Sequence, residues 1–448
     1  MSLSWKDVVE PPRDSEILEL PVNRVRLGAN TVNTCNPAVA DINNDGLDEI
    51  AVPVSEGEAD RITLFSSRGE RIWSNENLRL FHAFYGDRES YRGSHWHYQQ
   101  HHRHLLTEIA DVDGEGRLEV VVGDGPLTVL DGQTGAIKAV IDLAAHVQLW
   151  CTGRFFGAEA PLGIIACCES KTEGSFVAAV NSRFDVVWRR PLRGRLFFDF
   201  IRSGDLDGDG ADEVAFCLDT AETFFVMDGR GNIRWTKNVR LDIADDSHVD
   251  DFVFESVSPG ARAQVLTATG PCLMDADGSV VWNRRTEYEH GQKVIAARLL
   301  AGERGKNVYL AEKHAGRAHL LDSNGERLWT YSGFSKVRPG AEGVQTFLTS
   351  SGGLVEGVGG VPCAIAQVEI LHRTAKAQDV AGPATAYVTL LGPSGQPVGK
   401  VPIKDSGGTG WNGPMCCIPA RISSGRRSGF YAITHQSSEL WAIRLSNK

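Results

Sequence analysis

Trp188, Trp235, Trp282 and Trp329 stand 47 residues apart each time, and Asn181, Asp228, Asp275 and Asp322, seven positions before them, keep the same beat. A period of about 40–50 residues marks repeated supersecondary units, and it excludes most folds built around one irregular core. Within the period the apolar spacing is that of strands, not the 3.6-residue spacing of helices. One unit reads Phe224–Met227, then Asp228–Gly231, then Asn232–Trp235: an apolar run, a turn and a second run ending in an aromatic. Asp and Gly suit the turn because they tolerate positive φ and bond to their own backbone, while β-branched and aromatic residues flank it. Two further apolar runs precede each hairpin, such as Asp199–Ser203 and Glu213–Cys217, which completes a four-stranded antiparallel unit. Such a unit is one blade of an all-β propeller.

Six blades read clearly, with inner strands beginning near Pro37, Leu105, Val147, Phe200, Asp251 and Lys293. A seventh takes Val344–Ser350, Ala364–Leu371, Ala386–Leu391 and Pro397–Ile403. An eighth takes Cys416–Ile422, Phe430–His435 and Glu439–Leu445, and lacks an outer strand. Ile17–Leu27 can supply that strand by pairing the two chain ends, which leaves no open sheet edge. Eight blades are therefore expected rather than seven, in a single domain over 15–448. The glycine-rich stretches Ser350–Gly360 and Ser406–Gly413 read as loops inside the late blades.

A formal charge of −11 argues against a nucleic-acid partner, which needs a basic face. No apolar run reaches the length of a membrane span. Met1–Asp14 is polar and proline-bearing, unlike a secretory signal, so a cytoplasmic protein is expected, or a secreted or periplasmic one where a signal has been removed. Nine cysteines, mostly on apolar strands (Cys151, Cys217, Cys272), read as buried thiols. The adjacent pairs Cys167–Cys168 and Cys416–Cys417 should point to opposite faces of their strands.

Three loops carry an oxygen-ligand pattern. Asp41, Asn43, Asp45 and Glu49 occupy positions 1, 3, 5 and 9 around Gly46; Asp111, Asp113, Glu115 and Glu119 repeat this around Gly116, and Asp205, Asp207, Asp209 and Glu213 around Gly210. Hard oxygens at alternate positions suit Ca2+, so structural calcium is expected in each turn between a blade's first and second strands. A plain Asp-Gly β-turn with solvated carboxylates is the alternative.

From Trp73 to Trp188 is 115 residues where two periods need 94. The extra residues fall in 74–104, an insertion holding six of the thirteen histidines. Loops that break a repeat tend to carry function. In it His82, Tyr91, Arg92 and His97 are candidate substrate-binding residues, and His102, Arg103 and His104 candidate catalytic ones. His101–His104 could instead hold a transition metal such as zinc or manganese. The blade-to-blade connections add His146, His248, Tyr288 and His290 as catalytic candidates, and Arg202, Gln292 and Arg338 as substrate-binding ones. Imidazole and phenol can exchange protons, and arginine can hold a carboxylate, as β-elimination on a uronate sugar requires. The repeated tryptophans read as packing between blades rather than sugar stacking.

The Asp-x-Asp-x-Asp-Gly loops, the His102-Arg103-His104 stretch ahead of Ile109–Gly114, and Glu289-His290-Gly291-Gln292 together resemble the calcium-binding (FG-GAP-like) propeller polysaccharide lyases of the ulvan and rhamnogalacturonan lyase type. The resemblance covers most of blades one to six. It implies an acidic polysaccharide or oligosaccharide substrate, a histidine and a tyrosine exchanging protons, and an arginine or second histidine gripping the carboxylate. By motif, His102 or His104 would fill the proton-transfer or carboxylate role, with Arg103 beside it. No tyrosine lies between Tyr98 and Tyr288, so Tyr288, Tyr91 or Tyr98 would supply the phenol. A non-catalytic propeller binding a glycan or protein is the alternative reading, and a glycoside hydrolase the third.

Overall fold

The computed structural model describes residues 8–9, 22–26, 37–56, 59–78, 107–123, 126–170, 172–192, 198–218, 222–246, 248–313, 315–332, 344–358, 361–373, 385–404, 416–422, 429–433 and 439–445. They form eight antiparallel four-stranded sheets, the blades of a β-propeller. The described helical structure is a single π-helical turn, Val239–Ile243. Among the described residues no helix is long and apolar enough to cross a membrane.

The chain divides into two compact units, one holding blades one to four and the other blades five to eight. In the first unit, blade one is Ala38–Ala40, Glu49–Glu56, Ala59–Phe65 and Arg71–Leu78; blade two is Thr107–Ala110, Glu119–Val122, Leu127–Asp131 and Ile137–Ile141. Blade three is His146–Gly153, Gly163–Ser170, Gly174–Val180 and Val186–Pro191, and blade four is Phe198–Gly204, Glu213–Leu218, Thr223–Met227 and Ile233–Asn238.

In the second unit, blade five is Phe252–Glu255, Gln264–Thr267, Cys272–Met274 and Val280–Asn283. Blade six is Gly291–Ala297, Asn307–Glu312, Arg317–Leu321 and Arg327–Tyr331, with Val8–Val9 added in parallel. Blade seven is Val344–Val358, Val361–Arg373, Thr385–Leu391 and Pro397–Lys404. Blade eight is Cys416–Ala420, Gly429–Ile433 and Glu439–Arg444, and Val22–Arg26 from the N-terminal part of the chain is its outer strand, inside the stretch expected to supply it.

Second strands such as Glu119–Val122, Gly163–Ser170 and Glu213–Leu218 are buried throughout, whereas the outer strand Val186–Pro191 is largely exposed. Their continuous apolar runs are what coverage on both faces requires. The cores lie between neighbouring blades: Val129, Trp150, Ala166 and Phe176 between two and three, Leu149, Ile165 and Phe216 between three and four. Leu266, Val294 and Leu310 fill the gap between five and six, Tyr309, Leu320 and Ile365 that between six and seven. Cys167 packs into the three-four core and its neighbour Cys168 into the two-three core, the opposite faces expected of adjacent strand residues. The stretch Ser350–Gly360, expected as a loop, is mostly strand. Val344–Val358 continues through Gly352 and Gly353 by a register shift after Leu348, and a Cβ at Gly352 would stand 2.1 Å from the Ala366 carbonyl oxygen.

The 47-residue beat has a direct structural cause. The Asx side chain that opens the hairpin turn accepts backbone N–H bonds across it in blades four and six: Asp228 Oδ1 from Arg230 and Asn232 (3.0 and 2.8 Å), Asp322 Oδ1 from Asn324 and Glu326 (2.8 and 2.9 Å). The tryptophan that closes the hairpin reaches the turn of the next blade. Trp73 Nε1 donates to Gly132 O, Trp188 to Gly229 O, Trp282 to Ser323 O and Trp329 to Pro393 O, at 2.8 to 3.0 Å. In each receiving turn a glycine lies against the indole face at positive φ, for example Gly325 at 79° under Trp282. A Cβ there would lie 2.9 Å from the ring. Trp329→Ala should therefore cost about 3–5 kcal/mol, and Gly325→Ala about 1–3 kcal/mol from the left-handed backbone and the crowded ring together. Denaturant midpoints at unchanged slope measure both; losses below about 0.5 kcal/mol would mean that the clasp holds nothing.

Candidate functional site

The three acidic loops fold alike. Asp41 accepts the N–H groups of Asp45 and Gly46, Asp111 those of Gly114 and Gly116, and Asp205 those of Gly208 and Gly210. The ninth residue of each, Glu49, Glu119 or Glu213, is buried and accepts through Oε2 the N–H of the loop's second residue, Ile42, Val112 or Leu206, at 2.9 to 3.1 Å. Asp209, which accepts Ala211 N–H, and Glu115, which faces Arg117 at 3.4 Å, complete their loops. Burial pushes all three glutamates above their ordinary range.

What the second oxygen of each glutamate meets differs. Glu49 Oε1 accepts from the Asn43 amide at 3.1 Å. Glu119 Oε1 accepts from Lys138 Nζ at 3.0 Å, and the same ammonium contacts Asp113 and lies 3.7 Å from Glu115. Glu213 Oε1 accepts from Arg234 Nη1 at 2.6 Å, and Arg234 also donates to Asp207 at 2.5 Å. Burial would pull the Lys138 ammonium down, but its carboxylate neighbours outweigh it and hold it above its ordinary range. The groups Asp111, Asp113, Glu119 and Asp205, Asp207, Glu213 each bring ligand oxygens within 4.8 Å of one another and could hold a metal ion. The cation lying against them is the chain's own. Two unit charges 4 Å apart interact by about 4 kcal/mol at an effective dielectric near 20, and a divalent ion doubles this. A divalent ion at either loop would therefore meet repulsion from the ammonium or guanidinium already lying against the same carboxylates.

The blade starts hold a different set. His290, just ahead of the inner strand of blade six, places Nδ1 2.7 Å from Asp246 Oδ2, and its Nε2 contacts Asp250 Oδ2. Burial would lower the imidazole, but the Asp250 charge and the bonds to Asp246 and Asp250 outweigh it and raise it to about 9. His290 is thus an imidazolium at neutral pH, able to give a proton but not to take one. Asp250 is buried, its N–H donating to Thr269 Oγ1 at 3.0 Å, and Thr269 donates to Gly291 O at 3.0 Å. The neighbouring Asp251 is fully buried, lies 3.2 Å from Lys293 Nζ and accepts Val294 N–H. These bonds tie the starts of blades five and six together.

A second buried group backs the first. Glu312 accepts from Glu289 N–H (2.6 Å), Arg317 Nε (2.7 Å) and His319 Nε2 (2.8 Å). Burial opposes its ionisation, but His319 and Arg317 outweigh that and keep its carboxyl low. Burial pushes the His319 imidazole down, so it is neutral, Nε2–H donating to Glu312 and Nδ1 accepting from Thr330 Oγ1 at 2.9 Å. Tyr288 packs edge-on against the His319 ring at 4.9 Å between centroids, and burial raises its phenol.

The other sequence candidates fall as follows. His146 is fully buried opposite Glu169 in blade three. Arg202 lies over the Phe200 ring at 4.9 Å and beside the buried carboxyl of Glu108. Gln292 is buried, and His248 is half-buried on the same short stretch as Asp246 and Asp250. His82, Tyr91, Arg92, His97, His102, Arg103, His104 and Arg338 lie outside the described residues, as does the transition-metal candidate His101–His104. Sequence reasoning missed Asp246, Glu312 and His319. One signal was available: Glu312 and Glu169 occupy the same register position, across from the first residue of their inner strands.

No protein-family model matches the chain, and no curated protein matches its sequence. Solved structures do. A rhamnogalacturonan lyase PL11 of Bacillus licheniformis aligns at TM-score 0.54 and 14% identity over 97% of this chain and 75% of its own. The exotype rhamnogalacturonan lyase YesX aligns at 0.57 and 15% over 94% and 76%, and the rhamnogalacturonan lyase YesW at 0.54 and 14% over 96% and 75%. At such identities the likeness is one of fold, and the fold shared is the propeller found here blade by blade.

Proposed function

We propose that this chain is a carbohydrate-active propeller of the lyase type, cleaving a uronate-containing polysaccharide or oligosaccharide by β-elimination. The observation that carries the reading is His290 seated, at the starts of blades five and six, between the carboxylates of Asp246 and Asp250, which raise its imidazole to about 9. A propeller fold shared with three rhamnogalacturonan lyases supports the substrate class. In the reaction a base removes the C5 proton of the uronate, the electron pair of that bond forms the C4–C5 double bond, and the C4–O bond breaks. His290 supplies the proton the leaving oxygen needs, and the two aspartates keep it charged until then. His102 or His104, with Arg103 and Arg338, are the proposed base and carboxylate grip, because charge at the carboxylate makes the carbanion-like transition state tolerable.

Calcium has one place in this proposal, the loop Asp41–Glu49, where the second oxygen of the buried glutamate meets an amide and not a cation. There it would pin the turn and take no part in the chemistry. Chelation should then lower the melting temperature, and Asp45→Asn should abolish that dependence; a chelator-insensitive melt removes the ion from the proposal.

Incubation with a panel of uronate glycans should raise the ultraviolet absorbance of the unsaturated product. Binding without that signal would point to the glycan-binding reading instead. His290→Gln should lower kcat by about 10²–10⁴-fold with little change in KM, and should erase the loss of activity that the native chain shows as pH rises through about 9. A kcat unchanged in the variant excludes His290 as the acid. Folding supplies a separate check. Because the folded-state pKa, about 9, lies above the ordinary 6.5, the contribution of His290 to stability is complete below about pH 6.5 and is lost as pH rises through about 9. Unfolding free energies from pH 6 to 10 should fall over that window in the native chain and stay flatter in His290→Gln.

A further inference from the structure

Blades one to seven are versions of one design, and they differ at two matched positions. The first is the residue paired with the last residue of the inner strand: Glu49, Glu119, Gly163, Glu213, Gln264, Asn307 and Val361 in blades one to seven. The second is the residue passed over by a register shift in the outer hairpin, just before the tryptophan position: Ile72, Lys138, Val187, Arg234, Val281, Leu328 and Val398. A bulge of this kind leaves one residue out of the ladder and re-aims its side chain. In blades two and four that side chain is directed at the loop.

Charge at the two positions goes together. A glutamate meets a basic bulge residue in blades two and four, and a neutral residue meets an apolar one in blades three, five, six and seven. Blade one departs, with Glu49 against Ile72. Where the loop residue is a neutral amide, its oxygen still accepts the backbone bonds, as Gln264 Oε1 does from Val257 and Ser258 and Asn307 Oδ1 from Leu299 and Leu300. An oxygen at that position accepts backbone bonds in blades one, two, four, five and six, whereas Gly163 and Val361 offer none. A basic side chain joins it in blades two and four, where it is a buried carboxylate.

We propose that Lys138 and Arg234 are resident counter-cations standing where a calcium ion would, so that the loops Asp111–Glu119 and Asp205–Glu213 hold their shape without metal and take up none. Lys138 contacts Asp113, Glu115 and Glu119 at once, and Arg234 bridges Asp207 and Glu213. Each therefore engages at least two of the carboxylates a divalent ion would need. The Asp-x-Asp-x-Asp-Gly pattern does not by itself report calcium here; the bulge residue two strands away decides.

The test uses the full chain and calcium alone. Calcium bound per chain at equilibrium should be the same for the native protein, Asp113→Asn and Asp207→Asn, and loss of one ion in either variant overturns the proposal. Lys138→Met and Arg234→Met should each gain one calcium per chain and a melting temperature that rises by several degrees when calcium is added after chelation. Lys138→Arg should remain insensitive at that loop. Met variants that melt as the native chain does in chelator and gain no calcium also overturn the proposal; should they fail to fold, the two Asn variants still decide.

Discussion

The indole clasp between neighbouring blades is the interaction on which the described architecture depends. A four-stranded sheet with two apolar faces cannot persist alone, and in blades one, three, five and six the outer hairpin ends in an indole donor that finds an acceptor on the next sheet. Trp188 and Trp329 find theirs at the first turn carbonyl after the opening residue, with a glycine flat beneath the ring. At these four blade pairs the clasp holds one sheet at a fixed distance from the next. The apolar cores between the blades follow from that spacing, since second strands such as Gly163–Ser170 are then covered on both faces.

Packing of this kind leaves buried carboxylates to be satisfied, and the chain does so in two ways. At the strand-one to strand-two turns, Glu119 and Glu213 are held by a backbone N–H on one oxygen and a basic side chain on the other, a solution in which neither charge is left unpaired. At the blade starts, Asp250, Asp251 and Glu312 are paired with His290, Lys293, and Arg317 with His319. The first set rigidifies turns. The second places a charged imidazole at a strand end, where a group can be both held by the sheet and reached from a loop. This difference in position is why the blade starts, and not the acidic loops, carry the functional proposal.

Much of the fold was legible because its signals are local. The Asx residue at Asp228 or Asp322 bonds within its own turn, alternation and β-branching mark the strands, and the tryptophan period is a property of the chain alone. Blade eight could be completed with N-terminal residues because three strands at the end of the chain left one place open. The stretch Ser350–Gly360 was misread as a loop because glycine usually breaks a strand, whereas Gly352 allows the close approach of the Ala366 carbonyl. Of the candidate site, His290 was legible as a polar residue where a blade begins. Its partners were not, since Asp246 lies 44 positions away and no local pattern joins the two. Nor did the spacing of the acidic loops reveal Lys138 and Arg234, which reach them from the far side of the blade through a bulge.

The amino-acid sequence by itself determined the repeat, the strand-and-turn content of each blade and their number, because these arise from backbone preferences and periodic burial within a few tens of residues. The tertiary structure alone decided which charges meet. Asp250 raises His290, burial silences His319 and Tyr288, and two basic side chains lie against the carboxylates of two acidic loops. Electrostatic character depends on distances and desolvation, and those exist only once distant residues have been packed together.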